Sequence, residues 1–331
     1  MKKVRVEAST KKDRTSEIFG NPMSKKVIRK AQKSKQKNQK KYGDDSKVNY
    51  QCIIRDNPCI GEPLGVKNVV VTRKEGKGSF DEEKGVIVGN IRMGFGHYRI
   101  SMAIASAAHA LGYTPYWMDL NSYPETTCTK LISAQNELYS LGSRISQKSK
   151  LFNKFVWEPV NYEGFRQLSY NAADQKNAEL MAPVYHSVPK NIPVIATHVW
   201  PAQAAVHAGM KHVVNAIPDN WPMALHYAQG SLHIVQTHYA YQGYRIGNGM
   251  MKDKVVQAMP PQDLMYTGHY IDHELAANIE KDCEARLSRL KNGEAMRFLL
   301  TVGGAGAQME IFGEVLHYLI PYVIAGKAVV Y

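Results

Sequence analysis

Val86-Ile-Val-Gly-Asn-Ile-Arg-Met-Gly-Phe-Gly-His-Tyr-Arg-Ile-Ser101 is the stretch from which the fold is read. Residues 86–91 are a short apolar, β-branched run and predict a buried strand. Ile100, Ile104, Ala107, Ala108 and Leu111 then recur at helical spacing. Between strand and helix, Gly94 and Gly96 make a tight turn that leads into His97 and Arg99. Strand, glycine turn and helix are the first unit of an open α/β sheet. In such sheets ligands lie beyond the carboxyl ends of the strands, against helix amides. Read alone, the pattern also fits a plain βα turn, and His97 a helix-start histidine bonded to a carbonyl.

Downstream, strand and helix patterns alternate. Strands are predicted at 114–120, 193–198, 211–217, 232–237, 264–268 and 296–302. Helices are predicted at 128–146, 175–181, 200–209, 238–246 and 272–290. This alternation argues for a doubly wound parallel sheet, a Rossmann-like α/β fold. Polar residues recur where strands end: Asp119, Thr197 and His198, Asp219, Thr237 and His238, Thr267 and His269. Parallel strands end on one edge, so these side chains are expected to line one cleft. Residues 151–165 carry aromatic and apolar groups in an amphipathic setting, which fits either core packing or an acceptor- or membrane-facing surface.

Upstream, residues 1–47 hold 16 Lys and Arg against 5 Asp and Glu, while the other 284 residues hold 26 against 24. The net charge of +13 is therefore concentrated in the N-terminal segment. With few apolar groups to offset ordering entropy, 1–47 reads as a basic disordered tail, with a transient helix over 25–41. Its lysines suit an anionic membrane surface. No aromatic residue interleaves them, which disfavours a single-stranded RNA platform, and nucleic acid is not an expected partner of the folded part. Residues 48–84 read as a short β-hairpin-like extension. Four scattered cysteines form no C-x-x-C pair, so neither zinc nor a disulfide framework is indicated. No apolar run is long enough to span a bilayer. A cytoplasmic setting, peripheral on the inner face of a membrane, is expected.

A second glycine unit begins at Phe298-Leu-Leu-Thr-Val-Gly-Gly-Ala-Gly306. With it, five segments in order resemble the two-domain GT-B glycosyltransferases, in the branch holding monogalactosyldiacylglycerol synthase, processive diacylglycerol glucosyltransferases and the peptidoglycan N-acetylglucosaminyltransferase acting on lipid I. They are Gly94-Phe-Gly-His97, Ile195-Ala-Thr-His198, Val213 to Asp219 with Trp221, Tyr266-Thr-Gly-His-Tyr-Ile-Asp272, and Gly303-Gly-Ala-Gly306. The likeness covers about residues 85–331. It departs from the pattern in lacking a further glycine before His97 and in having Tyr270 where a proline is usual. The resemblance implies an acceptor-type Rossmann-like domain at 85–275, a linker helix at 276–295, and the beginning of an incomplete nucleotide-sugar-binding domain at 296–331. The sequence then reads as a fragment or a degenerate member.

What the resemblance implies chemically is transfer of a sugar from a nucleotide-sugar donor, such as a UDP-sugar, to a lipid or membrane-associated acceptor, with no metal or other cofactor. Such transfer needs a base for the acceptor hydroxyl and positive potential for the departing diphosphate. His97 is the candidate base, with an ordinary pKa of roughly 6.5, and Asp219 or Asp119 the alternative. Gly94, Gly96, Arg99, Thr197, His198, Thr237 and His238 would line the acceptor side. Gly303, Gly304, Gly306, Thr267 and His269 would meet the donor. A nucleotide-sugar 2-epimerase shares this architecture, and a non-catalytic membrane- or nucleic-acid-binding remnant of the fold is the remaining alternative.

Overall fold

The computed structural model describes residues 14–74, 76, 78–247, 249–251, 256–302 and 309–331. It divides into two compact units, the first ending at Tyr270 and the second spanning Ile271–Tyr331.

The first unit is built on eight strands: β1 Gln51–Asp56, β2 Lys67–Thr72, β3 Gly85–Asn90, β4 Thr114–Asp119, β5 Val194–Ala196, β6 Val213–Ala216, β7 Leu232–Val235 and β8 Leu264–Tyr266. Their order across the sheet is β8-β7-β6-β5-β3-β4-β2-β1. Every neighbouring pair is parallel except the β1–β2 hairpin at one edge. The hairpin expected at 48–84 is thus a continuation of the main sheet. All six residues of β3 are buried, as a central parallel strand covered on both faces requires.

Helices α1 Lys25–Tyr42, α2 Phe95–Ala110, α3 Thr127–Lys148, α4 Leu168–Ala178, α5 Val199–His207 and α6 His238–Ile246 complete this unit. Alternate residues of the strands face opposite layers. Val88 and Trp117 pack with Ala105 of α2 on one side. Ile87, Tyr116 and Met118 pack with Cys128, Leu131 and Ile132 of α3 and with Ala202, Ala204, Ala205 and Val206 of α5 on the other. The sequence reading of a mostly parallel sheet flanked by helices is what the structure has. Among the described residues no helix is long and apolar enough to cross a membrane, and all four cysteines are free.

The N-terminal segment departs from expectation. Residues 1–13 lie outside the described residues, but from Arg14 onward the supposed disordered tail is folded. Glu17–Ile18 pairs antiparallel with Asn21–Pro22. Ile18, Phe19 and Met23 enter a buried cluster with Tyr227, Tyr244 and Leu264. The Phe19 ring meets Tyr227 edge-on at 5.2 Å, and the Asn21 amide pins the turn to the Gln257 carbonyl at 3.0 Å. Helix α1 is capped by Ser24 and buries Ala31. It is tied to the end of α4 by Lys35–Glu179 at 2.5 Å and Asn38–Asn177 at 3.0 Å. A handful of well-spaced apolar residues suffices, because an existing core receives them.

The second unit contains helices His273–Ala277 and α7 Ile279–Lys291, then β9 Met296–Phe298, α8 Met309–Ile324 and β10 Ala328–Val330. The single helix expected over 272–290 is interrupted at Asn278. β9 and β10 are parallel neighbours joined through α8, a βαβ unit. Neither α7 nor α8 buries a residue. The glycine loop Gly303, Gly304 and Gly306 lies outside the described residues.

Two buried titratable groups set opposing pH responses. His233 accepts from the Ala228 N–H through Nε2 at 2.9 Å, while its Nδ1 faces the Asp263 carbonyl at 3.1 Å. It must be neutral to do both, and burial lowers its pKa to about 4. Asp174 is buried within α4, and burial raises its pKa to about 7 against the Trp200 hydrogen bond. The folded state refuses a proton at His233 that the unfolded chain takes below roughly 6.5, so this term lowers stability as pH falls toward 4. The folded state keeps a proton on Asp174 that the unfolded chain releases near roughly 3.9, so this term lowers stability as pH rises toward 7. Asp174→Asn is expected to raise stability by only about 1–2 kcal/mol at pH 5 and by up to about 4 kcal/mol at pH 8. Urea unfolding at the two pH values measures this.

Candidate functional site

The connection from β3 through α2 moves the chain to β4 on one side, and the chain then returns to place β5 on the other side of β3. The order reverses between β3 and β5. In open α/β sheets, a crevice opens at such a switch point beyond the strand ends. The loops that flank it are the Gly94–Gly96 turn and the Thr197–His198 step.

Gly94 is the N-cap of α2 with φ 81°, a left-handed conformation that favours glycine. A Cβ at Gly94 or Gly96 would meet only open space. His97, in the first turn, reaches the residue that follows β5. Its Nδ1 lies 2.7 Å from the Thr197 carbonyl oxygen. A carbonyl can only accept, so Nδ1 carries the proton and Nε2 is left with its lone pair. Ser101 Oγ donates to the His97 carbonyl at 2.9 Å and sits 2.8 Å from Thr197 Oγ1, locking α2 to the end of β5.

His198 follows as the N-cap of α5, its Nδ1 accepting the Trp200 N–H at 3.1 Å. Its Nε2 therefore bears the proton. The His97 and His198 rings meet edge-on with centroids 4.9 Å apart. Burial lowers both pKa values, that of His198 well below the ordinary histidine value. For His97 the Thr197 hydrogen bond and the Asp219 charge oppose that shift. An acceptor imidazole beside a donor imidazole, both neutral near pH 7, is the chemical content of the crevice.

Beyond β6, Asp219 Oδ2 receives His226 Nε2 at 3.0 Å. His226 Nδ1 lies 2.7 Å from the Tyr244 hydroxyl, which itself accepts the Met223 N–H at 3.3 Å. The Nε2–H goes to the carboxylate. Burial would raise the Asp219 pKa, but the His226 hydrogen bond and charge, with His97, hold it below the ordinary carboxylate value. His226 has no strand end or motif to announce it. It sits in a 3-10 turn, Ala224–His226, and only the fold brings it to Asp219.

The other expected site residues have partners of their own. Asp119 is engaged by Arg92 at 2.8 Å, Ser122 at 2.8 Å and the Asn121 N–H at 2.9 Å, closing the turn after β4. Thr237 caps α6 through the Ala240 N–H. His238 stacks on Tyr266, centroids 4.1 Å apart. The Thr267 N–H extends the β8 ladder to the Val235 carbonyl, and His269 Nδ1 lies 3.3 Å from Gln236 Oε1. Arg99 is exposed on α2. Among the described residues no three His, Cys, Asp or Glu side chains converge on a metal position.

Fold and crevice define an α/β protein with a mostly parallel sheet and a histidine-lined switch point. The chain belongs to the family described as a domain of unknown function, DUF6937, whose profile matches residues 17–246. Residues 259–331 match a second domain of unknown function, DUF6938. No curated protein and no solved structure matches the chain.

Proposed function

We propose that the chain is a nucleotide-sugar-dependent glycosyltransferase of the GT-B kind, with the unit ending at Tyr270 as its acceptor half. The observation that carries this reading is the His97 tautomer. A neutral imidazole, fixed through Nδ1 and offering Nε2 at a switch-point crevice, suits deprotonation of a hydroxyl. His198 would donate to the oxygen that gains charge, and the Asp219–His226 pair would temper the site's potential. The βαβ unit of β9, α8 and β10 would begin the donor half, and Gly303, Gly304 and Gly306 would be its diphosphate-binding residues. The acceptor would be a lipid, and the exposed Lys26, Lys30, Lys33, Lys37 and Lys41 of α1 would meet an anionic bilayer.

Incubation with UDP-glucose, UDP-galactose or UDP-N-acetylglucosamine and mixed diacylglycerol–phosphatidylglycerol vesicles tests the reading. Expected is UDP release that depends on the vesicles and is lost in His97→Ala. Conversion of UDP-N-acetylglucosamine to its 2-epimer without vesicles would establish an epimerase instead. Absence of both turnover and UDP-sugar binding would overturn the enzyme reading.

A further inference from the structure

Residues 153–164 are wound unusually. Asn153–Trp157 and Pro159–Gly164 are successive π-helical turns. Such turns are rare and concentrate at functional sites. Hydrogen bonding from i to i+5 brings residues five apart onto one face, which an α-helix would separate. Trp157 and Tyr162 are such a pair. With Glu158, Asn161 and Trp221 they line an open pocket of about 300 Å³. That is at the small end of ligand sites, which run roughly 300–1,000 Å³, and suits an occupant nearer a monosaccharide than a nucleotide.

Trp221 follows Asp219 by two residues, and Tyr139, whose ring lies 5.1 Å from that of Trp157, feels the Asp219 charge. Trp157 rests on α3 at Gly142, where a Cβ would lie 2.2 Å from the indole.

The rings form a platform. Tyr162 and Trp221 are 5.3 Å apart at 33°, and Trp221 and Tyr239 6.2 Å apart at 36°. Neighbours this close leave no slot for a cation between them, and the Arg166 guanidinium already lies 5.4 Å from the Trp221 ring. Polar groups stand at the edge. Glu158 takes one hydrogen bond from Asn153 at 2.8 Å. The Asn161 amide donates to the Trp157 carbonyl at 2.8 Å and keeps its oxygen as an acceptor. The Trp221 indole N–H is shielded and has no acceptor among the described residues.

We infer that this aromatic pocket binds a pyranose ring, its C–H face on the rings and its hydroxyls shared between Glu158 and Asn161. A hydroxyl can donate to the Glu158 carboxylate and to the Asn161 oxygen; a quaternary ammonium can donate to neither. The inference deepens the transferase reading by giving the acceptor a sugar ring, and rests on that reading only for the role of the bound sugar.

Saturation-transfer NMR and tryptophan fluorescence on the full chain test it, with methyl β-glucoside, methyl β-galactoside and N-acetylglucosamine as probes. Sorbitol and tetramethylammonium are the controls. Expected is saturable binding of at least one pyranoside, with Kd on the order of 1 mM for a ligand of this size, and none of sorbitol. Glu158→Gln and Tyr162→Leu are expected to weaken it about tenfold. Gly142→Ala, a substitution that favours helix, displaces Trp157 and is expected to do the same with α3 intact. No saturable pyranoside binding, binding of tetramethylammonium alone, or pyranoside binding unchanged in all three variants would overturn the inference. Sugar binding without turnover of any UDP-sugar would sink the transferase reading and leave the pocket standing. Turnover with pyranoside binding unchanged in the three variants would do the reverse.

Discussion

A chain lacking residues 1–47 is expected not to fold. Ile18, Phe19 and Met23 are buried against the β6–β8 half of the first unit. At about 1.5–3 kcal/mol for each large side chain, their burial is worth about 5–9 kcal/mol. That approaches the whole net stability of a typical domain, about 5–15 kcal/mol. Phe19→Ala alone is expected to cost about 3–5 kcal/mol, and a circular-dichroism melt would register this as a fall of roughly 10 °C. The match to DUF6937 begins at residue 17, where this strap enters the core. A truncated chain that melts cooperatively at the full-length temperature would mean that the segment is an appendage. Any membrane role of α1 is consequently tested by substitution, not deletion. Lys26→Gln, Lys30→Gln, Lys33→Gln and Lys37→Gln together, all exposed, are expected to reduce co-sedimentation with anionic vesicles without changing the melt.

The parallel strands were legible because β3 to β8 are short, largely apolar runs set between turns, as strands buried on both faces are. The edge they share was legible for the same reason. What escaped was whatever breaks periodicity. In α4, Asn171, Asp174, Gln175 and Asn177 face inward; with polar residues on the buried side, no apolar stripe marks the helix, and its start at Leu168 lies before the expected 175. In the N-terminal segment, abundant lysines mask Ile18 and Phe19, whose partners Tyr227, Tyr244 and Leu264 lie more than 200 residues away in sequence. Asp119 was legible as a strand-end carboxylate, but its ion pair with Arg92, which follows a different strand, was not. His226 and Tyr244 could not be found at all from the sequence, since neither sits at a strand end. His97 illustrates the converse: the carbonyl-bonded alternative and the base alternative are compatible, because the bond through Nδ1 is what frees Nε2.

Asp219→Asn is expected to move the His97 titration downward. The buried His97 imidazole resists protonation, and the carboxylate of Asp219 is one of the groups that eases it. With that charge removed, burial and the neighbouring His226 act with less opposition, so the pKa falls further below the ordinary 6.5. NMR titration of the His97 Cε1–H gives the shift directly and needs no substrate. In the transfer assay, the base must be neutral, so kcat/KM is expected to decline on the acid side with an apparent pKa below roughly 6.5. Asp219→Asn is expected to carry that acid limb to lower pH. His97→Ala is expected to lose about 10²–10⁴ of the rate, the span typical of a positioned general base, and to abolish the limb. His97→Gln retains a side-chain amide donor for the Thr197 carbonyl but supplies no basic nitrogen, so it separates anchoring α2 from taking a proton. A His97→Gln chain with wild-type rate and an unmoved acid limb would show that His97 only fastens α2 to β5, and that the proton goes elsewhere.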